Sequence, residues 1–292
     1  MQNAIITGGT GFIGVHLIET LLANKIEITA LCRKDSPNLA RIPAGVRIAY
    51  DFSELEPCDV FYHLAWDGAS GVGRGDALTQ SKNVEFALSA AELAATKLLC
   101  GKFIMLGTVY EHFAESVSES NKFSGADFYI LSKQYAHSLV KQSAYKLQLP
   151  FVHCTICHPI GKHIKQEQMM AYVVSCLISG IPPEFGPGNS IYDIIAVEDV
   201  ALGLYLLGAG NTGHGDYYIG SGAPRILRDY LIEAGQLIDP DISIAFDKKP
   251  DDGLRFDPEW FDISRIKEDV GFVPQVAFAD AVVNIARWIK QK

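Results

Sequence analysis

Short apolar runs alternate with longer amphipathic stretches through the first half of the chain. The runs Asn3–Thr7, Glu27–Cys32, Val46–Tyr50, Val60–Leu64, Lys102–Leu106 and Pro150–Cys157 read as strands. The stretches Gly11–Ala23, Gln80–Thr96 and Tyr129–Leu147 carry helical spacing. Such alternation predicts an α/β architecture, a doubly wound parallel sheet with helices on both faces. Ligands of these sheets lie at the carboxyl ends of the strands. Beyond residue 158 the pattern loosens, with turns at Pro182-Pro183 and Gly186-Pro187-Gly188. Asp193–Val200 reads as a strand and turn, Ala201–Gly208 as a helix, and Tyr217–Ile219 as a short strand ending in Gly220-Ser221-Gly222. Leu227–Leu237 and Phe278–Lys290 read as helices.

The most informative segment follows the first strand. Thr7-Gly8-Gly9-Thr10-Gly11-Phe12-Ile13-Gly14 sets glycines at 8, 11 and 14 between a strand and a helix. Gly8 permits the turn, Gly11 lets a pyrophosphate approach the backbone, and Gly14 lets the helix pack on the strand. The free amides at the helix start, with Thr10, Phe12 and Ile13 beside them, offer an anion site. This context predicts a Rossmann dinucleotide-binding domain over residues 1–157 plus about 189–220. A smaller substrate-binding lobe takes about 158–188 plus 221–292.

The 292 residues carry a net charge of −9, which argues against nucleic acid or an anionic membrane as a general partner. No apolar run reaches spanning length, and no basic leader precedes the first strand, so the expected compartment is the cytoplasm. Six scattered cysteines then read as thiols. The string His153-Cys154-Thr155-Ile156-Cys157-His158 contains C-x-x-C-H. On a strand, residues three apart point to opposite faces, so these two thiols are expected to share no metal, and none is expected elsewhere.

Two further elements stand where such a sheet needs catalytic groups. Gly107-Thr108 follows the strand Lys102–Leu106, and Tyr129-Ile130-Leu131-Ser132-Lys133 opens a long helix. Tyr and Lys four apart share one helix face. A phenol titrates near 10 in water, and a neighbouring ammonium favours the phenolate. Thr108 is expected to bond the substrate oxygen, while Tyr129 exchanges a proton with it during hydride transfer.

These residues resemble the extended short-chain dehydrogenase/reductase family, its nucleotide-sugar epimerase/dehydratase group, over nearly the whole chain. The glycine segment resembles that family's cofactor loop, and Asp51-Phe52 its adenine contact. His63-Leu64-Ala65-Trp66 resembles H-x-A-A beside the cofactor ribose, and Gln80–Asn83 matches a helix whose Asn is often structural. Ile156-Cys157-His158-Pro159-Ile160-Gly161 resembles I-F-N-P-I-G, which contacts cofactor and substrate, and Asp193–Val200 resembles D-F-I-H-V-D-D-V. Lys249-Pro250-Asp251-Asp252-Gly253, Asp262–Arg265 and Gly271–Pro274 resemble the end of the substrate lobe. The chain departs at His158 (usually Asn), Thr155 (usually Arg), Ala196 (usually His) and Glu111-His112 (commonly Tyr-Gly). The resemblance implies cofactor contacts at Leu64, Ala65, Trp66, Asn83, Lys133 and His158. It implies a nucleotide-sugar substrate touching Trp66 and His112, with Lys162, Arg225 and Arg255 as candidates for its diphosphate. It also implies a homodimer through two long helices per subunit.

At the end of the second strand an NAD enzyme usually carries an acid for the ribose diol. Here the chain reads Leu31-Cys32-Arg33-Lys34, and a guanidinium suits a 2′-phosphate, so NADP is favoured over NAD. A dehydratase of the resembled family carries Asp-Glu after the catalytic Thr, whereas Val109-Tyr110 stand here. The expectation is a reductase of a nucleotide-linked 4-keto-6-deoxysugar. The alternatives are a 4-epimerase with tightly held NAD and a non-catalytic dinucleotide sensor, which would need no Thr108, Tyr129 and Lys133.

Overall fold

The structure is a computed structural model and describes every residue except 121, 212, 252 and 292. In chain order its elements are β1 (Asn3–Thr7), α1 (Phe12–Ala23), β2 (Glu27–Leu31), β3 (Arg47–Ala49), β4 (Val60–His63), α2 (Ala77–Thr96), β5 (Lys102–Leu106), α3 (Ala114–Glu119), α4 (Asp127–Lys146) and β6 (Phe151–Thr155). Then come β7 (His158–Ile160), α5 (Met169–Ile178), β8 (Ile191–Tyr192), β9 (Ile194–Ala196), α6 (Val197–Ala209), β10 (Gly215–Tyr218), β11 (Arg225–Ile226), α7 (Leu227–Ile238), α8 (Ser264–Val270) and α9 (Phe278–Lys290).

Seven strands form one parallel sheet in the order β10-β6-β5-β4-β1-β2-β3. The chain builds outward from β1 in both directions, so the strand order reverses at β1, where a doubly wound sheet opens its ligand crevice. This is the Rossmann-like sheet that the alternating runs predict.

Period-two alternation assigns each strand's side chains to two cores. Ile6, Leu17, Val152 and Leu204 pack under α1 and α6. Phe61, Phe103 and Ala87 pack under α2 and α4, whose buried alanines let the helices approach closely. Phe61, Phe103 and Phe151 stand in register across β4, β5 and β6, with rings stacked at 5.3 and 6.3 Å. Burying each such ring contributes ~2–3 kcal/mol. Two residues further along, the same face carries His63, Met105 and His153. A third core, with Met170, Val174, Leu231 and Val282, joins α5, α7 and α9 and reaches Phe12 and Tyr129.

Several boundaries differ from the sequence reading. Helix α2 starts at Ala77 because the Asp76 carboxylate accepts the Thr79 N–H at 2.7 Å. The turn expected before Ala201 is the start of the helix: β9 gives way to α6 at Val197, with Glu198 and Asp199 in the favoured first turn of a helix. Strand β6 ends at Thr155, so Cys157 lies beyond it and the strand argument fails for that residue. The two thiols still part company: Cys154 points into the core under α1 and α6, and Cys157 into the core of the third cluster. Burial pushes both thiols up, that of Cys157 to about 12.

Candidate active site

The glycine turn forms as its spacing predicts. Gly8 has φ +74°, and a Cβ there would lie 2.8 Å from the Ala65 nitrogen. A Cβ on Gly14 would lie 2.2 Å from the Gly8 carbonyl oxygen, so only glycine lets α1 close on the turn. Helix α1 begins after Gly11 with no side-chain cap and no acid in its first turn. Its first amides have no partner within the helix and face a cavity of about 230 Å³. This uncapped N-terminus beside a sterically required glycine fits the pyrophosphate of a dinucleotide.

That cavity brings together Gly8, Gly11, Phe12, Ile13, Gly14, Leu64, Trp66, Thr108, Tyr129, Lys133 and His158. The turn lies far in sequence from Thr108, Tyr129 and Lys133, yet a single cleft at the strand ends holds both. Of the other expected cofactor contacts, Asn83 is buried and accepts the Asp67 N–H at 2.9 Å. Its amide donates back to the Asp67 carbonyl at 2.8 Å, which fixes the chain after Trp66. Asp51 caps its own turn through the Ser53 N–H at 2.8 Å, and Phe52 stacks on Phe86 at 5.5 Å. The hydroxyl of Thr10 accepts from Ser36 at 3.2 Å, tying the turn to the loop after β2. Arg33 in that loop is exposed and pairs with Asp67 at 2.8 Å. Lys34 lies 5.8 Å from the Tyr50 ring centroid.

The expected substrate cations are scattered. Lys162 is exposed and lines no part of the cavity. Arg225 pairs with Glu233 at 2.7 Å and covers the Tyr230 ring at 4.0 Å, so it braces α7 instead of facing the cleft. Arg255 pairs with Asp251 at 2.6 Å and donates to the Ser190 hydroxyl at 3.1 Å. Both partners line a second cavity with Gly186, Asn189 and Lys249. His112 is exposed and stacks on Trp260 at 4.5 Å. Asp252 of the Lys249–Gly253 segment lies outside the described residues.

Thr108 follows β5 and caps a short 3-10 turn over Val109–Phe113. Its hydroxyl accepts the Tyr110 N–H at 3.3 Å and lies beside the Tyr129 phenol. Burial raises the phenol's pKa, opposed first by the Arg74 charge and then by the Thr108 hydroxyl; the net shift is upward. Lys133 sends its ammonium to the Leu106 carbonyl at 2.8 Å and over the Trp66 ring at 3.9 Å. Burial brings Lys133 down to about 8, against the pull of Glu111. His158 is pushed down to about 4 by burial and by Arg74, so it is a neutral imidazole at pH 7. Among the described residues, no carboxylate lines the cavity, and its cations are Arg74, Lys133 and Lys165.

Sequence reading missed two features. Arg74 carries no motif and enters from a glycine-rich loop. Glu111 is buried behind Thr108, whose N–H it accepts at 2.8 Å, and its other oxygen lies 3.4 Å from His153 and 3.6 Å from His137. These three side chains have the ligand types of a metal site. Their geometry does not suit one: the two rings stack at 3.7 Å and 10°, and in-plane lone pairs of parallel rings do not converge on one ion. The cluster reads instead as a buried ion network.

The family model described as "NAD dependent epimerase/dehydratase family" matches residues 4–220. The chain is 26% identical over 320 residues to a dTDP-glucose 4,6-dehydratase of Actinoplanes sp., covering 99% of this chain and 98% of that protein. It is 24% identical over 261 residues to a CDP-abequose synthase of Salmonella typhimurium, covering 84% of each. The solved UDP-N-acetylglucosamine 4-epimerase of Methanobrevibacter ruminantium M1, in complex with UDP-N-acetylmuramic acid, superposes with a TM-score of 0.83. At 18% identity, over 100% of this chain and 99% of that one, this likeness shows the fold. The matched span contains the glycine turn, Thr108, Tyr129 and Lys133, and the chain belongs to the NAD dependent epimerase/dehydratase family, as a nucleotide-sugar enzyme.

Proposed function

We propose that the protein reduces the 4-keto group of a nucleotide-linked 6-deoxysugar, with NADP as its dinucleotide. The observation that carries this reading is the composition of the cleft. It holds a protonated phenol beside Thr108, and among the described residues no carboxylate lines it. Elimination of water across a sugar needs an acid and a base beside the reacting carbons. The nearest acid, Glu111, is turned to Thr108 and the two histidines.

Gly8, Gly11, Phe12 and Ile13 would hold the pyrophosphate, Arg33 and Lys34 the 2′-phosphate, and Lys133 the nicotinamide ribose. The dinucleotide supplies the hydride when bound in its reduced form. Thr108 orients the keto oxygen by hydrogen bonding. Tyr129 gives that oxygen its phenol proton as carbon 4 becomes tetrahedral, leaving a phenolate that takes a proton back from solvent. His158, neutral at pH 7, sits in the same cleft without adding charge. Trp66, edge-on to Tyr129 at 6.4 Å, would pack against the sugar. The cavity beside Ser190 and Arg255 would take the far end of the nucleotide. A homodimer through α2 and α4 completes the reading; Tyr135 of α4 is 59% exposed, which suits a covered face.

One observation favours a second reading. Asp67 neutralises Arg33 at 2.8 Å, and that carboxylate suits a ribose diol as well as the arginine suits a phosphate. A 4-epimerase holding NAD would follow. Mass spectrometry of the dinucleotide that co-purifies, with NADPH consumption on dTDP-4-keto-6-deoxyglucose, separates the two. Retained NAD and no net NADPH consumption would reject the reductase.

A further inference from the structure

We propose that Arg74 is a second electrostatic partner of Tyr129, adding to the charge of Lys133 in support of its phenolate during turnover. This rests on the reading of Tyr129 as the acid/base. The Tyr-x-x-x-Lys spacing offers one charge in Lys133, whose ammonium also bonds the Leu106 carbonyl and lies over Trp66. The Arg74 guanidinium adds a second, lying across the face of Tyr129, 4.7 Å from its ring centroid. A cation over an aromatic face is attracted by the ring, and more strongly when the ring carries a phenolate charge.

The placement is built in. Arg74 donates through Nε to the Ala69 carbonyl at 2.8 Å and also covers Tyr110 at 5.3 Å. Its loop is pinned from below by Gln80, a fully buried amide that donates to the carbonyls of Gly68 at 3.1 Å and Gly73 at 2.9 Å. Gln80 accepts in turn from the Trp66 indole at 2.7 Å. Gly68, at φ +65°, lies so close to Gly73 that a Cβ would come within 2.6 Å of the Gly73 oxygen. The loop therefore has one compact form, and it projects Arg74 into the cleft. Among the described residues, the terminal guanidinium nitrogens have no hydrogen-bond or ion-pair partner, which leaves them free for the substrate.

The charged and titratable groups around the phenol come from four elements. They are Arg74 before α2, Thr108 and Glu111 after β5, Lys133 one turn along α4, and His158 on β7. Glu111 opposes the phenolate and His158 is uncharged at neutral pH. Arg74 is the cation aimed at the ring.

The test is a titration of full-length protein labelled with [13Cζ]tyrosine, with the Tyr129 resonance identified by its loss in Tyr129→Phe. The readout is the phenolate fraction of Tyr129 at pH 10 in wild type, Arg74→Met and Arg74→Lys. Wild type should exceed Arg74→Met at least threefold, with Arg74→Lys between them because it keeps the charge. Equal fractions in wild type and Arg74→Met, or in Arg74→Lys and Arg74→Met, would overturn the proposal. No substrate enters this measurement. A failure of the reductase reading therefore shows separately, as Tyr129→Phe retaining NADPH-dependent turnover.

Discussion

The Glu111 carboxylate accepts the backbone N–H of Thr108 at 2.8 Å. The Thr108 hydroxyl is therefore placed by a buried charge three residues further along. A Cβ on Gly107 would lie 2.4 Å from that carboxylate oxygen and 2.3 Å from His153, which is why glycine precedes the threonine. Burial alone would push Glu111 up, but His153 and His137 outweigh it and hold the carboxyl far below the usual range. Glu111→Ala leaves a buried amide and two imidazoles without their anion, a loss of about 3–5 kcal/mol for one partner of a buried pair. Glu111→Gln keeps an oxygen for the Thr108 N–H and should lose less than half as much. Urea melts of the three proteins check the order. Equal stability of Glu111→Gln and Glu111→Ala would contradict a role for the amide bond.

The same network makes stability depend on pH. His137 bonds Asp216 at 3.0 Å on its outer side, and Lys141 pairs with the second Asp216 oxygen at 2.7 Å. Burial opposes charge on His137, but the bond to Asp216 and the nearby Glu111 carboxylate prevail and bring its pKa to about 9. A histidine unfolds to a pKa near 6.5. The folded value is the higher one, so this contribution is complete below about pH 6.5 and is lost as pH rises through about 9. Thermal melts should fall over that window in wild type and flatten there in His137→Phe. A wild-type melting temperature that rises between pH 7 and 9 would remove His137 from this role.

Removing the phenol oxygen isolates the proton step. Tyr129 is 6% exposed, so Tyr129→Phe keeps its packing against Trp66. Turnover should fall by ~10²–10⁴-fold, the usual contribution of a positioned acid. Cofactor affinity, measured by fluorescence titration, should change by less than about twofold. Near-normal turnover in the Phe variant would take the acid role away from Tyr129.

The parts of this site legible in sequence are those that one short segment can specify. A strand, three spaced glycines and a helix start are contiguous, so residues 3–23 declare the turn by themselves. Tyr129 and Lys133 share a helix face by spacing. Helix α5 escapes notice because Met169–Ile178 is apolar on nearly every side and offers no period. The Glu111 network escapes because His137 on α4 and His153 on β6 reach it only through the sheet's crossover. Arg74 escapes because its position depends on Gln80 and two glycines folding a loop, none of which marks a cation in advance. Arg225 misleads for the opposite reason: its charge suggests a diphosphate, and its neighbour at i+8, Glu233, is invisible until α7 turns back on β11.

Cofactor choice turns on Arg33 and its partner. Arg33 and Asp67 are 66% and 61% exposed, so their ion pair at 2.8 Å is worth only ~0–1 kcal/mol and a 2′-phosphate can displace it. If the guanidinium binds that phosphate, Arg33→Ala should weaken NADPH binding by ~1.5–3 kcal/mol, the range for a hydrogen bond to a charged group. NADH, lacking the phosphate, should lose much less. Lys34→Ala should show a smaller version of the same effect, because an ammonium has no fork to match the phosphate. Asp67→Asn releases Arg33 and removes a repelling charge, so it should tighten NADPH and weaken NADH. Cys32→Asp should act in the reverse sense, since an acid at the end of β2 repels the phosphate and accepts from the ribose diol. All five proteins are compared by fluorescence titration at low and moderate salt, where an exposed charge contact weakens as salt rises. Tighter NADH than NADPH binding in wild type, with Arg33→Ala weakening both equally, would leave Asp67 as the ribose partner and put the 4-epimerase ahead of the reductase.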